Sequence, residues 1–371
     1  MSGGSKALSP LASELASASG LLTFTSFYTV QHHKRNPDII SVSLVYPLPL
    51  RLTSRLTIPY TDADGGLKQQ LPFHNCLCLR PNAAEWIYKW GHLKMTGEKL
   101  KGKILFFSDI DETLVNTDKS LSEENRRAID EFLARGNIFV ISTGRALLGA
   151  SNLLKELGLY GKKNMMISSS NGAIVYDTYL EKELLRRPVP LDLMYEAFDL
   201  ARDFGIHIQT YTDTSVVAEQ ENESLRRYIA VQRLPVELYP SIRNARIAPP
   251  PKLLCLDYPD PGNITRFRAL FEERMKGKLD CFQSNPWLLE IVYPGVNKGS
   301  SLRFIAREAG IPIDHTVSAG DAENDLSMIL AAGIGCAMKN ADERLKEQAD
   351  YVTVNDNNHA GVAEILNRFC L

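Results

Sequence analysis

The sequence predicts an α/β fold: a doubly wound parallel-sheet core interrupted by an inserted α/β domain. Three observations predict it. From Lys103 onward apolar strands and helical stretches alternate with short connections; the series breaks near residue 186 and resumes near 291; and small groups of polar residues stand directly after the apolar runs. Such alternation implies a parallel sheet covered by helices, right-handed crossovers, and a ligand site beyond the carboxyl ends of the strands.

In chain order, the first series reads strand 103–108, helix 122–135, strand 138–142, helix 146–158 and strand 164–168. ILFF and IFVI are apolar without alternation, as expected of strands buried on both faces. The interruption reads helix 191–204, strand 206–212, helix 219–232, strand 252–257, helix 262–275 and strand 280–283, with Ala248-Pro249-Pro250-Pro251 as a stiff connector. After Leu288 to Val292 the first pattern returns as helix 299–309, strand 315–319, helix 323–331, and strands 333–338 and 351–354. The expected domains are an N-terminal extension over 1–100, a core over 101–185, an inserted domain over 186–290 and the rest of the core over 291–371.

The extension has few acids, much Ser, Thr, Leu and Pro, and no steady period, so no fold is assigned to it. Met95, just before the first strand, suggests that the working protein begins near there.

With a formal net charge of −2, 44% hydrophobic and 23% charged residues, the 371-residue chain has no basic field for nucleic acid. No run of about eighteen apolar residues predicts a membrane span. The six cysteines form no CxxC pair and read as reduced thiols of a cytoplasmic protein, with an organelle transit peptide in residues 1–94 as the alternative. Gly97 to Lys103 spells GxxxxGK, but Ile104 replaces the required Ser or Thr and the run precedes a strand, which rejects a P-loop. His207 and His315, in apolar surroundings, read as packed histidines.

Four polar signals adjoin predicted buried strands: Asp109 and Asp111 after ILFFS, Thr143-Gly144-Arg145 after IFVIS, Lys298 before a helix, and Asp321 to Asp325 after HTVSAG. In extended backbone Asp109 and Asp111, two apart, project to one side and can face one reacting atom. Singly each signal has a plain alternative: a polar turn, a helix N-cap for Thr143, Asp321 or Asn324, a solvated charge for Lys298. Together, in a parallel sheet, they converge on one edge.

DIDET, STGR, GVNKGSSL and GDAENDLSM resemble the four motifs of the haloacid dehalogenase superfamily of phosphohydrolases, and the last two, with SSNGAIVYD, its Cof-type sugar-phosphatase branch. The resemblance runs from about Lys103 to Leu371. It implies a phosphomonoesterase for a small phosphorylated metabolite, a sugar phosphate foremost, with Asp109 as nucleophile and Asp111 as general acid and base. It further implies Mg²⁺ held by Asp109, the Asp111 carbonyl and Asp321, with Asp325 orienting Lys298 or a metal-bound water. Lys298, Thr143 and the Gly144 amide would contact phosphate, and Asn324 the phosphate or the metal shell. Asn171 would be a substrate-side residue, although its place in a hairpin turn accounts for it equally well.

The long second gap between motifs implies a cap over the site, with Tyr211, Tyr228, Arg226, Arg227 and Trp287 open between substrate contact and ordinary core or surface roles. Glu112 stands where most Cof-type members have Gly, which bears on the geometry of the loop. A phosphomutase and a non-catalytic phospholigand sensor are the alternative functions.

Overall fold

The computed structural model divides the chain into two units, Met1–Trp90 and Gly91–Leu371. It describes residues 99–371, apart from the Ser284 side chain, and four short strands of the first unit. Those strands pair antiparallel as Phe27–His32 with Ile40–Val45, and Thr57–Ile58 with Leu71–Pro72. The reading of a start near Met95 lies outside the described residues.

The second unit runs β1 Leu105–Ser108, α1 Glu123–Ala134, β2 Ile138–Ser142, α2 Leu147–Glu156, β3 Met165–Ser169, β4 Ile174–Asp177 and β5 Lys182–Arg186. It continues with α3 Leu191–Phe204, β6 His207–Tyr211, β7 Val216–Ala218, α4 Glu223–Gln232, β8 Val236–Leu238, β9 Leu253–Leu256, α5 Pro261–Arg274, β10 Asp280–Asn285 and β11 Leu288–Val292. It closes with α6 Lys298–Glu308, β12 Thr316–Gly320, α7 Leu326–Ala331, β13 Ile334–Ala337, α8 Glu343–Lys346, β14 Tyr351–Val352 and α9 Gly361–Phe369.

The core sheet has eight strands in the order β14-β13-β12-β1-β2-β3-β4-β5. The first six are parallel, and the β3-β4 and β4-β5 pairs are antiparallel. β1 is buried at every position because helices cover both faces. On one face Phe106 stacks on Phe139 at 5.1 Å, and both meet the edge of Phe132 from α1. On the other, Leu105, Phe107 and Val140 pack with Leu302 and Ile305 of α6 and Met328 of α7. Alternate residues of one strand thus serve two helical layers. Burying each such side chain stabilises the sheet by roughly 1.5–3 kcal/mol.

Register positions the site. Ser108 stands opposite Ile141 on one side and Ala319 on the other. Asp109, Thr143 and Asp321 therefore leave the sheet within a residue of one common row, at the carboxyl edge.

The residues between β5 and α6 form a second sheet of order β8-β7-β6-β9-β11-β10, antiparallel except for β7 with β8. Its outer face packs on α3 and α5 through Ile208, Leu253, Leu289 and Ile291 against Phe198, Phe267 and Phe271. The alternate positions on the other face include Gln209, Tyr211 and Glu290, all buried.

Candidate active site

Lys298 is the first residue of α6, whose N-terminus is closed by an Asn297–Ser300 capping box. A cation at the positive end of a helix dipole is unfavourable, so this placement needs anions close by. They are there: Lys298 Nζ donates to Asp109 Oδ1 at 2.5 Å and to Asp325 Oδ1 at 2.6 Å. Lys298 and Asp325 are fully buried, and Asp109 nearly so. Asp325 Oδ2 accepts the amides of Asp321 (2.9 Å) and Ala322 (3.1 Å), and Thr113 Oγ1 donates to Asp321 Oδ1 at 2.7 Å. Oxygen atoms of Asp109, Asp321 and Asp325 lie within 4.8 Å of one another.

Three carboxylates face one ammonium, a formal excess of two negative charges. Burial, then repulsion from Asp325 and Asp111, raises the Asp109 carboxyl to about 7 against the pull of Lys298. Burial, then repulsion from Asp325 and Asp109, raises Asp321 to about 8. Burial alone would lower Lys298, but the two carboxylates outweigh it and raise its pKa. An all-oxygen cluster with an excess charge of two fits a hard divalent cation.

Asp111 faces elsewhere. Arg145 grips it with both limbs, Nε to Oδ2 at 2.9 Å and NH2 to Oδ1 at 2.8 Å, and Lys119 Nζ lies 3.0 Å from Oδ1. Burial works against its charge, but the Arg145 and Lys119 contacts prevail and hold the carboxyl at about 2. Its side chain is outside the three-carboxylate cluster.

Thr143 is buried, and its Oγ1 accepts the Arg145 amide at 3.1 Å. A Cβ on Gly144 would fall 2.9 Å from Glu290 Oε1 and 3.3 Å from Asn171 Nδ2, so a larger residue would have to push the Glu290 carboxylate aside. Asn171, at φ 56°, turns the chain between β3 and β4, which makes the hairpin reading correct. Its Nδ2 is buried without a hydrogen-bond partner, while Oδ1 receives Asn324 Nδ2 at 3.4 Å. Asn171 and Asn324 therefore meet beside Gly144.

Sequence reasoning assigned nothing to Lys252 and Glu290. They form a buried ion pair at 2.6 Å on the inner face of the second sheet, and Lys252 Nζ also donates to the Gly144 carbonyl at 2.6 Å. A charge at the head of one apolar run, KLLCL, and inside another, LLEIV, was the available signal. Arg145, Thr113 and Lys119 were likewise without roles.

Among the side chains left open between β5 and α6, Tyr211 and Tyr228 are buried and joined by their hydroxyls at 2.7 Å. Trp287 stacks on Tyr258, and Arg226 and Arg227 pair at the surface with Glu221 and Glu223. His207 is buried, its ring bonded to Gln209 and Asn222. His315 ends the turn before β12. Among the described residues no helix is long and apolar enough to cross a membrane.

A parallel α/β core with a carboxylate-rich strand edge and a second sheet inserted behind it defines a class, the capped phosphatases of the haloacid dehalogenase type. The chain belongs to that family: the profile described as haloacid dehalogenase-like hydrolase matches residues 106–366. It is 29% identical over 273 residues to a Streptococcus pyogenes protein whose name proposes a phosphatase, covering 71% of this chain and 97% of that one. It is 27% identical over 266 residues to the 5-amino-6-(5-phospho-D-ribitylamino)uracil phosphatase of Bacillus subtilis, covering 71% of this chain and 94% of the relative. A crystal structure of a haloacid dehalogenase-like hydrolase from Bacteroides thetaiotaomicron superposes with a TM-score of 0.66 at 28% identity, covering 72% of this chain and 99% of that one.

Proposed function

We propose that the chain hydrolyses a small phosphomonoester, a sugar phosphate foremost, with Mg²⁺ and through an aspartyl-phosphate on Asp109. The observation that carries this reading is the bonded line Asp109–Lys298–Asp325, with Asp321 beside it, at the carboxyl edge of a parallel sheet. In this reading residues 101–185 and 291–371 are the catalytic core, residues 186–290 are the cap, and 1–100 are an extension outside the chemistry.

Lys298 fixes the orientation of the Asp109 carboxylate. An Asp109 oxygen attacks phosphorus, the bond to the leaving oxygen breaks, and Asp111 gives that oxygen a proton. Asp111 then takes a proton from water as the water oxygen attacks the aspartyl-phosphate, and inorganic phosphate leaves. For the first step Asp111 must carry a proton, so its ion pairs with Arg145 and Lys119 have to part as substrate enters. Thr143, the Gly144 amide, Asn171 and Asn324 offer donors to the phosphate and the substrate. Asp109, the Asp111 carbonyl and Asp321 would hold Mg²⁺, with Asp325 acting through Lys298 or a bound water. When bound, the cation offsets the charge that phosphate would otherwise meet.

The test is release of inorganic phosphate from a panel of phosphorylated sugars, nucleotides and cofactors. Release is expected with Mg²⁺, is lost with chelator, and is absent in Asp109→Asn. Binding of sugar phosphates without turnover overturns the reading in favour of a sensor. Return of phosphate to the substrate, stimulated by a bisphosphate, would favour a mutase.

A further inference from the structure

Glu112 lies between Asp111 and Thr113 with φ 59° and ψ 13°, the left-handed region in which glycine is favoured and a Glu is strained. A strained side chain beside reacting groups persists only where its surroundings hold it there. Here they do. The Glu112 carbonyl accepts Asn340 Nδ2 at 2.8 Å. Its Oε2 accepts Thr117 Oγ1 and Asn357 Nδ2, each at 3.2 Å, and its Oε1 lies 3.5 Å from Lys119 Nζ.

These partners belong to two segments. Thr117 and Lys119 come from the turn that follows Asp111. Asn340 and Asn357 come from loops about 230 to 245 residues further on, and Asn357 is buried, its amide bonded to Asn340 Oδ1 and its Nδ2 also to the Val115 carbonyl. Asn358 Oδ1 accepts the Thr117 amide at 3.0 Å. Lys119, held toward Glu112, is the same ammonium that lies 3.0 Å from Asp111 Oδ1. A glycine at 112 would adopt the backbone more easily, but the bonds to Thr117, Asn357 and Lys119 would be lost.

We propose that Glu112 is a positioning residue: its carboxylate clamps the 111–120 turn to the 340–358 loops, fixing the backbone from which Asp111 projects, and holds Lys119 beside Asp111 until substrate parts that pair. This rests on the phosphomonoesterase reading for its kinetic consequence but not for the clamp itself. The Glu112 carboxylate acts through its neighbours, so its loss reaches turnover by misplacing Asp111, whose displacement by a fraction of an ångström is costly.

The experiment uses the full chain with Glu112→Gly and Glu112→Gln, p-nitrophenyl phosphate as substrate, thermal melting, and amide hydrogen exchange resolved to the 111–120 turn. Glu112→Gly is expected to keep or raise Tm while lowering kcat about tenfold with KM nearly unchanged, and to speed exchange in 111–120 about tenfold but not in the core strands. Glu112→Gln, which keeps an acceptor for Thr117 and Asn357, should recover most of that kcat. Adding Lys119→Met to Glu112→Gly should cost little more, because both act through one arrangement. Unchanged exchange in the turn, a loss confined to KM, or fully additive effects of Glu112→Gly and Lys119→Met would overturn the clamp. If the unsubstituted chain releases no phosphate, the phosphomonoesterase reading fails, and the exchange measurement still decides the clamp.

Discussion

Folding without a cation should make this protein less stable as pH rises, the reverse of the usual behaviour of buried acids that are paired. Asp109 and Asp321 have folded-state values of about 7 and about 8, above the ordinary 3.8. A group raised on folding binds its proton more tightly when folded. Its contribution is fully present below the unfolded value and is lost as pH climbs through the folded one. A rise from 3.8 to about 7, at roughly 1.4 kcal/mol for each pH unit, makes about 4 kcal/mol lost for Asp109 between about pH 4 and 8. Asp111, held at about 2, is lost only as pH falls through that value and does not enter the window. Chemical denaturation in chelator at pH 5 and pH 8 reads the difference. Stability should fall by a few kcal/mol toward pH 8, corresponding to roughly 10 °C in Tm for a domain of this size. Saturating Mg²⁺ should restore about 3 kcal/mol at pH 8 and much less at pH 5, where the carboxyls keep their protons. Asp321→Asn should flatten the profile. Equal stability at the two pH values in chelator, or equal gains from Mg²⁺ at both, would refute the electrostatic reasoning.

Other outcomes follow from the same geometry. Asp109→Asn should remove phosphate release by at least about a thousandfold while leaving circular dichroism close to wild type, since the amide is nearly the same size. Gly144→Ala places a methyl 2.9 Å from Glu290 Oε1 and should lower kcat/KM by about ten- to a hundredfold with a small change in Tm, checked by steady-state kinetics. Lys252→Met leaves the Glu290 carboxylate buried without its ammonium and should destabilise by about 3–5 kcal/mol in denaturant titrations. Phe106→Ala, at the centre of the Phe132–Phe139 cluster, should cost about 3–5 kcal/mol and leave KM unchanged if the protein still folds.

How much of this was legible depended on whether local pattern or distant placement decides a residue's neighbours. The strand ends were legible because a parallel sheet in register brings Ser108, Ile141 and Ala319 into one row, so whatever follows them must meet. The α6 start moved by one residue, from 299 to Lys298, because the Asn297 cap admits Lys298 to the first turn. The single helix expected over 323–331 is instead a tight turn, Glu323–Asp325, followed by Leu326–Ala331. There the Asp325 side chain is committed to Lys298 and to the amides of Asp321 and Ala322, which fixes the turn ahead of the regular helix. No such local rule reaches Lys252 and Glu290. Their approach to Gly144 spans 108 residues for Lys252, and it depends on how the second sheet docks on the core.

Arg145 shows the same division from inside a motif that was legible. Its position beside Gly144 was plain in the sequence, but its partner Asp111 is 34 residues away, and the two meet only because β1 and β2 are adjacent. The consequence is chemical. An acid held at about 2 by a two-pronged guanidinium cannot donate at neutral pH, so the proposed first step requires the Asp111–Arg145 contact to open. Burial works against the Arg145 charge, but the contact with Asp111 outweighs it and raises the Arg145 pKa. In the proposed reaction the phosphoryl group can be transferred with protonation only once Arg145 has left Asp111, which ties binding of substrate to release of the proton donor.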